Sequence, residues 1–336
     1  MKSLAEEIEE RSRRGREQLD LSLGSETAVL LAGAGCSVSA GYPTWGELIT
    51  ELLNEVDPAF TLRTQGHLDQ LQEVWDRCIH IHHSSKPISR FIGSRFEPQN
   101  PAFTDFHRSL VNLPFAGLAT TNYDHALEHA LRSWLVPERL TCEPVNLCDS
   151  RRRLDVLRFF RDLGSKARNL HRILHLHGSH GLPEEVLLTK MDYRRFYDGI
   201  TSDEEGARQP VGDPLTFHRK AIWALLATRV VVFVGFSLTD DAFNSVIDVL
   251  LKDVDRITER LHVAVIGISS MDELLSQEDR LNGLAVAPIY YEMGATPGDR
   301  HARLYGLIEE LESKHHVREP RPTVRSVAGR IEEMYP

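Results

Sequence analysis

The chain has 336 residues, 41% hydrophobic and 26% charged, a mixture that supports a sizeable folded core. Its 49 acidic and 39 basic residues give a net charge of −10, which argues against nonspecific binding to nucleic acid or an anionic membrane. The basic clusters at Arg11–Arg16 and Arg151–Arg153 read as solvated helix faces, with a nucleic-acid role as the lesser alternative.

In chain order, residues 1–24 are charged and helix-compatible, and read as an N-terminal arm or interaction helix. "TAVLLAG" ends in Gly33 and suits a buried parallel strand. "TWGELITELLNEV" follows at helical spacing, with Thr44 as a cap. Residues 55–112 read as a mostly helical insertion, interrupted at Pro87, Pro98 and Pro101. "PFAGLATTNYD" is a second strand, followed by the helix "HALEHALRSWL". "RILHLHGS" is a third strand and "RVVVFVGFSL" a fourth, with "DDAFNSVIDVLLKDV" as its helix. "LHVAVIGI", "MDELLSQEDRL", "GLAVAPIYY" and "RHARLYGLIEELESK" continue the alternation, and residues 319–336 form a Pro- and Arg-containing tail. Strands alternating with helices predict an α/β fold, a Rossmann-like doubly wound parallel sheet covered on both faces. Residues 25–318 are expected to form its main domain. No apolar run approaches the ~18 residues of a membrane helix, and no signal peptide opens the chain, so a cytoplasmic setting is expected.

In such sheets ligands bind beyond the carboxyl ends of the strands, which here read "GAGCS", "TTNYD", "HGS" and "GFSLTDD". Gly33 and Gly35 allow backbone to approach a pyrophosphate, and Ser37 adds a hydroxyl; a purely structural turn is the equal alternative. The dinucleotide fingerprint is incomplete, because Val38 stands where its third Gly belongs. A serine-hydrolase elbow is also incomplete, since Ser39 replaces the second Gly of G-x-S-x-G. Four cysteines, Cys36, Cys78, Cys142 and Cys148, form no C-x-x-C pair, which excludes a four-cysteine zinc ribbon. His175 with His177, and Cys78 with His80, His82 and His83, lack the spacing of a helical H-E-x-x-H site, so no metal ligands are assigned.

Together the corners resemble the sirtuin family of NAD-consuming enzymes. G-A-G-x-S-x-x-x-G-x-P is matched from Gly33, Ala34, Gly35 and Ser37 through Gly41 to Pro43. The N-x-D motif is matched by Asn122 and Asp124, the H-G motif by His177 and Gly178, and the later G-x-S corner by Gly235 and Ser237. The closing strands and "HARLYGLIEEL" look like the bacterial antiphage-defence branch. Deacetylases follow Gly-x-Pro with Asp-Phe-Arg, where this chain has Thr44, Trp45 and Gly46. The absent zinc module argues against deacylation while leaving the NAD pocket intact.

The resemblance implies NAD as substrate, no zinc, and hydrolysis to nicotinamide and ADP-ribose. It assigns Asn122 and His177 as catalytic, His177 as proton acceptor, and Asp124 as holder of the nicotinamide carboxamide. Trp45 would cover the nicotinamide ring. Ser237 and Asp240 would reach ribose or adenine, or instead cap the following helix. The charged N-terminal arm, with no fused regulatory domain, leads to the expectation of a homo-oligomer, and the resemblance permits a separate activating protein such as a HerA-type ATPase or an Argonaute. A non-catalytic nucleotide-sensing or assembly module, and an NAD-dependent deacylase, are the alternatives.

Overall fold

A computed structural model describes residues 2–134, 141–164, 170–199, 216–254, 259–296 and 300–316, so the C-terminal tail lies outside the described residues. Seven strands form one sheet: β1 (Ala28–Ala32), β2 (Gly117–Thr120), β3 (Thr141–Asn146), β4 (Leu170–His175), β5 (Val230–Val234), β6 (His262–Ile268) and β7 (Val286–Glu292). Every pairing is parallel, in the order β3-β4-β2-β1-β5-β6-β7. The expected doubly wound α/β sheet is therefore the architecture of the chain.

All five residues of β1 are buried, because side chains alternate between two apolar layers. Val29 and Leu31 enter one layer with Phe233, Ile222 and Val246; Leu30 and Ala32 enter the other with Leu110, Leu127 and Leu307. Burying a side chain of this size stabilises by about 1.5–3 kcal/mol, which is why such strands read as unbroken apolar runs.

The first layer is covered by α8 (Arg153–Asp162), α10 (Phe217–Thr228), α11 (Asp241–Asp253) and α12 (Met271–Gly283). Helices α1 (Leu4–Gly24), α6 (Asp105–Asn112), α7 (Ala126–Trp134) and α13 (Ala302–His315) cover the second. A third apolar cluster joins α3 (Trp45–Val56) to α4 (His67–His82) and α5 (Lys86–Arg95), the last two within the stretch expected to be a helical insertion. Thr44 caps α3 in a reciprocal capping box with Glu47. A very short helix, α2 (Ala34–Ser37), follows β1, and another, α9 (Lys190–Tyr193), runs into a π-helical turn over Arg194–Asp198.

Two elements differ from the sequence expectation. Strand β3 was not anticipated: Glu143 and Pro144 break its apolar pattern, and it is tolerated because β3 is an edge strand, where a residue lacking N–H costs little. The expected N-terminal arm is a helix laid against β7. Ser12 Oγ accepts from Tyr290 N at 2.8 Å, and a Cβ on Gly15 would stand 2.2 Å from the Pro288 carbonyl oxygen. Arg13 and Arg14 in the same turn are exposed.

Two buried histidines are expected to make the fold acid-sensitive. His262 accepts from Val231 N at 3.3 Å, His107 accepts from Thr104 N at 3.2 Å, and burial lowers both imidazoles from 6.5 to about 4. A depressed folded-state pKa means that the stability these groups support is complete above pH 6.5 and is lost as pH falls toward 4. Stability should fall across that window by up to on the order of 3 kcal/mol per buried histidine, read as a lower melting temperature. His262→Gln, which keeps an acceptor but does not titrate, should flatten its share of the slope in pH-dependent thermal melts. An unchanged slope would show that His262 is not held neutral.

Candidate active site

The strand order reverses at β1, which lies between β2 and β5, so the corners after these strands face one cleft. Gly33 N donates to Val234 O at 2.9 Å, and Gly35 N donates to Gly235 O at 3.0 Å. Cys36 N donates to Gly33 O at 2.9 Å. The amides that the sequence offered to a pyrophosphate are thus bonded to backbone at Gly33, Gly35 and Cys36. What the glycines provide is contact between two corners. A Cβ on Gly33 would lie 2.5 Å from Gly235 O, and one on Gly235 would lie 2.5 Å from Cys36 N. Gly235 is also left-handed, with φ of 64°.

Asn122, beyond the end of β2, is buried and anchored on every side but one. Its Nδ2 donates to Gly33 O at 3.0 Å and to Ser37 Oγ at 2.9 Å. Its backbone N donates to Thr120 Oγ1 at 3.0 Å, and its carbonyl accepts from His175 Nδ1 at 2.9 Å. Both amide hydrogens are spent, so Oδ1 is the face left for a ligand, and it can only accept a proton donor. Asp124 is buried nearby; its Oδ1 accepts from Ala126 N at 2.9 Å, and burial raises its carboxyl above the usual range. Asn122, Asp124, Ser37 and Trp45 line a small pocket of about 30 Å³.

His177 follows β4 and lines an adjoining cleft of about 410 Å³ with Gly35, Gly235, Ser237 and Asp240. Ala34, Thr44, Trp45 and Thr121 border both spaces. The ring of His177 sits between aromatic groups: Tyr197 OH is 3.4 Å from Nε2, and Tyr193 makes an edge contact at 5.7 Å. Asp240 Oδ2 is 3.9 Å from Nε2 and accepts from Tyr193 OH at 3.1 Å. Burial lowers the His177 pKa, opposed by the Asp240 charge, so the imidazole is neutral near pH 7. Asp240 also caps α11, accepting from Phe243 N at 3.0 Å, and Ser237 Oγ pairs with Thr239 Oγ1 at 2.7 Å.

The histidine sets considered for metals separate. Cys78 is buried, while His80, His82 and His83 are exposed on the far side of α4 and its end. His175 turns to Glu128, with Nε2 2.7 Å from Oε1. Among the described residues, His125, Glu128 and His175 bring one ligand atom each within 4.8 Å. The 2.7 Å approach is a hydrogen bond, since two ligands of one tetrahedral zinc stand about 3.3 Å apart. The four cysteines are all free and buried.

Sequence reasoning missed Thr121 and Glu128, and left Tyr193 and Tyr197, within "MDYRRFY", between a lid and ordinary packing. The spacing of Tyr193 and Tyr197 offered a signal, because four residues apart on a helix puts both rings on one face, where they stack at 5.8 Å. Glu128 offered none, since it reads as an ordinary helix surface residue.

The family model described as SIR2-like domain matches residues 116–289. A relative named NAD(+) hydrolase ThsA from Bacillus cereus (strain MSX-D12) is 25% identical over 242 residues, 72% of this chain and 43% of that protein. Its namesake in Enterococcus faecium is 22% identical over 253 residues, 75% of this chain and 45% of that protein. A third, from Acinetobacter baumannii (strain 532279), is 24% identical over 215 residues, 63% of this chain and 36% of that protein. The chain thus spans less than half the length of these curated relatives.

The contact between corners is testable by volume alone. Gly33→Ala should cost about 1–3 kcal/mol by forcing the β1 and β5 corners apart. Gly46→Ala, whose Cβ would meet open space in helix α3, is the control and should be neutral or stabilising by up to about 1 kcal/mol. Urea unfolding of both variants decides it; equal midpoints would mean that the corners do not press on one another.

Proposed function

Because this chain belongs to the SIR2-like domain family, we propose that it is an NAD glycohydrolase, cleaving NAD to nicotinamide and ADP-ribose and serving antiphage defence by NAD depletion. One observation carries this reading. The acceptor face of Asn122 and the neutral imidazole of His177 open onto adjoining spaces that share Ala34, Thr44, Trp45 and Thr121 as a wall. The names of the three relatives support the same chemistry.

Hydrolysis breaks the bond from the ribose anomeric carbon to the cationic ring nitrogen. Nicotinamide leaves with the bonding pair, which cancels its charge, and water supplies the new bond to carbon. In this reading Asn122 Oδ1 accepts from the attacking water or a ribose hydroxyl and fixes its direction. His177 takes the proton that the water loses; a base with an ordinary pKa near 6.5, lowered by burial, is unprotonated at neutral pH and ready to accept. Asp124, whose carboxyl burial holds partly toward the neutral form, bonds the carboxamide, and Trp45 covers the ring. Gly33, Ala34, Gly35 and Ser37 form the floor, while Gly235, Ser237 and Asp240 serve the nucleotide's other end. Control comes from self-assembly or from a separate activator, for which a HerA-type ATPase or an Argonaute is a candidate.

Asn122→Ala and His177→Ala should each lower nicotinamide release by ~10²–10⁴-fold while NAD binding survives better. Chromatography of products, with candidate activators present, measures the first; calorimetry measures the second. Equal turnover in wild type and both variants would place the chemistry elsewhere. No turnover in the wild type under any condition, with binding retained, would favour a nucleotide-sensing module.

The reaction as drawn uses no metal. Chelator should therefore leave wild-type nicotinamide release unchanged, and loss of activity restored by added zinc would overturn this.

A further inference from the structure

Behind Asn122 lies a buried polar pair that the proposed chemistry does not use. His175, on β4, and Glu128, on α7, are both 0% exposed. Glu128 Oε1 meets His175 Nε2 at 2.7 Å, and His175 Nδ1 meets the carbonyl oxygen of Asn122 at 2.9 Å. A carbonyl can only accept, so Nδ1 carries a proton and donates. We infer that the Glu128–His175 pair is a positioning device for Asn122. The carboxylate orients the imidazole, the imidazole clamps the Asn122 carbonyl, and the clamped backbone holds Oδ1 toward the cleft. This inference rests on the NAD-hydrolase reading for its role in catalysis, though not for the clamp itself.

The surroundings support a clamp. Leu176 N donates to Thr120 O at 2.8 Å, so the backbone next to His175 is already locked to the strand that ends before Asn122. Thr121 N donates to Ala32 O at 3.1 Å, which ties the same turn to β1. The Asn122 side chain is held from the other direction by Gly33 and Ser37. Without the imidazole, the carbonyl of Asn122 would be a buried acceptor lacking this donor, and the peptide would be free to tilt. The neighbouring Glu128 charge raises the His175 pKa, and His175 lowers that of Glu128, as expected for an imidazolium bonded to a carboxylate. His125 makes an edge contact with His175 at 5.4 Å and shares a 3.2 Å hydrogen bond with His180, closing the pair off from solvent.

Two variants separate positioning from charge. Glu128→Gln keeps a hydrogen-bonded chain, because the Gln amide donates to Nε2 while Nδ1 still donates to Asn122. The double variant Glu128→Met with His175→Leu removes the clamp and both charges; apolar replacement of a buried ion pair is often neutral for folding. Nicotinamide release should fall roughly 10²-fold in kcat for the apolar pair, with KM changed little, since a displaced group costs rate more than affinity. The Gln variant should stay within about 5-fold of wild type. Rates are scaled to the folded fraction from circular dichroism, so a merely structural role would leave kcat per folded molecule unchanged. Independently of turnover, the Asn122 side-chain amide protons should exchange faster with solvent in the apolar pair and stay protected in the Gln variant. Wild-type kcat and protection in the apolar pair would overturn the clamp. A Gln variant as slow as the apolar pair would overturn it too, by making charge the operative property. If wild type itself releases no nicotinamide, the function reading fails, and amide exchange still decides the clamp. An apolar pair that does not fold leaves the decision to His175→Gln, read by the same exchange and rate measurements: retained rate and protection support the clamp, wild-type values after His175→Leu alone overturn it.

Discussion

The approach of the Gly33–Gly35 corner to Gly235 governs the rest of the site. Two backbone hydrogen bonds join the corners, and neither side leaves room for a Cβ. Because β1 and β5 are adjacent, this contact closes the sheet's switch point into a continuous floor. Gly33 then turns its carbonyl toward Asn122, and Ser37, four residues on, turns its hydroxyl the same way. A side chain at either corner would separate the two halves of the floor and move the anchors of Asn122 with them.

Two modes of restraint meet across the shared wall. Asn122 is fixed by hydrogen bonds, which have direction, so its orientation is defined and its single open acceptor points one way. His177 is fixed mostly by packing against Tyr193 and Tyr197, with longer polar contacts at 3.4 and 3.9 Å. Packing in a poorly solvated site penalises the charged imidazolium, which suits a group that must accept a proton. Tyr197 is carried on a π-helical turn, an irregularity frequent at functional sites.

His175 and His177 show how one short motif divides its labour. Residues two apart on a strand point to the same side, yet His177 lies beyond the strand's last residue, where Gly178 is left-handed and the chain turns. His175 stays inside the sheet's edge and bonds inward to Glu128, while His177 reaches the cleft. By spacing alone the two are equivalent, and only the H-G motif sets His177 apart. Termination of the strand makes them different.

Much of the fold was legible because its strands are buried on both faces: unbroken apolar runs at residues 28–32 and 230–234 can serve little else, and the alternation with amphipathic helices fixes a parallel sheet. The glycine corners, Thr44 as a cap, and the polar residues at each strand end were also written locally, since φ, capping and close approach depend on a few neighbouring residues. Strand β3 was not legible, because only its edge position makes Pro144 acceptable. The expenditure of the Gly33 and Gly35 amides, the burial of Ser12 and Gly15 against β7, and the meeting of Glu128 with His175 depend on partners far away in the chain. Residue type sets which bonds a group can make; which of them it does make is decided by the neighbours that tertiary packing brings within about 3 Å.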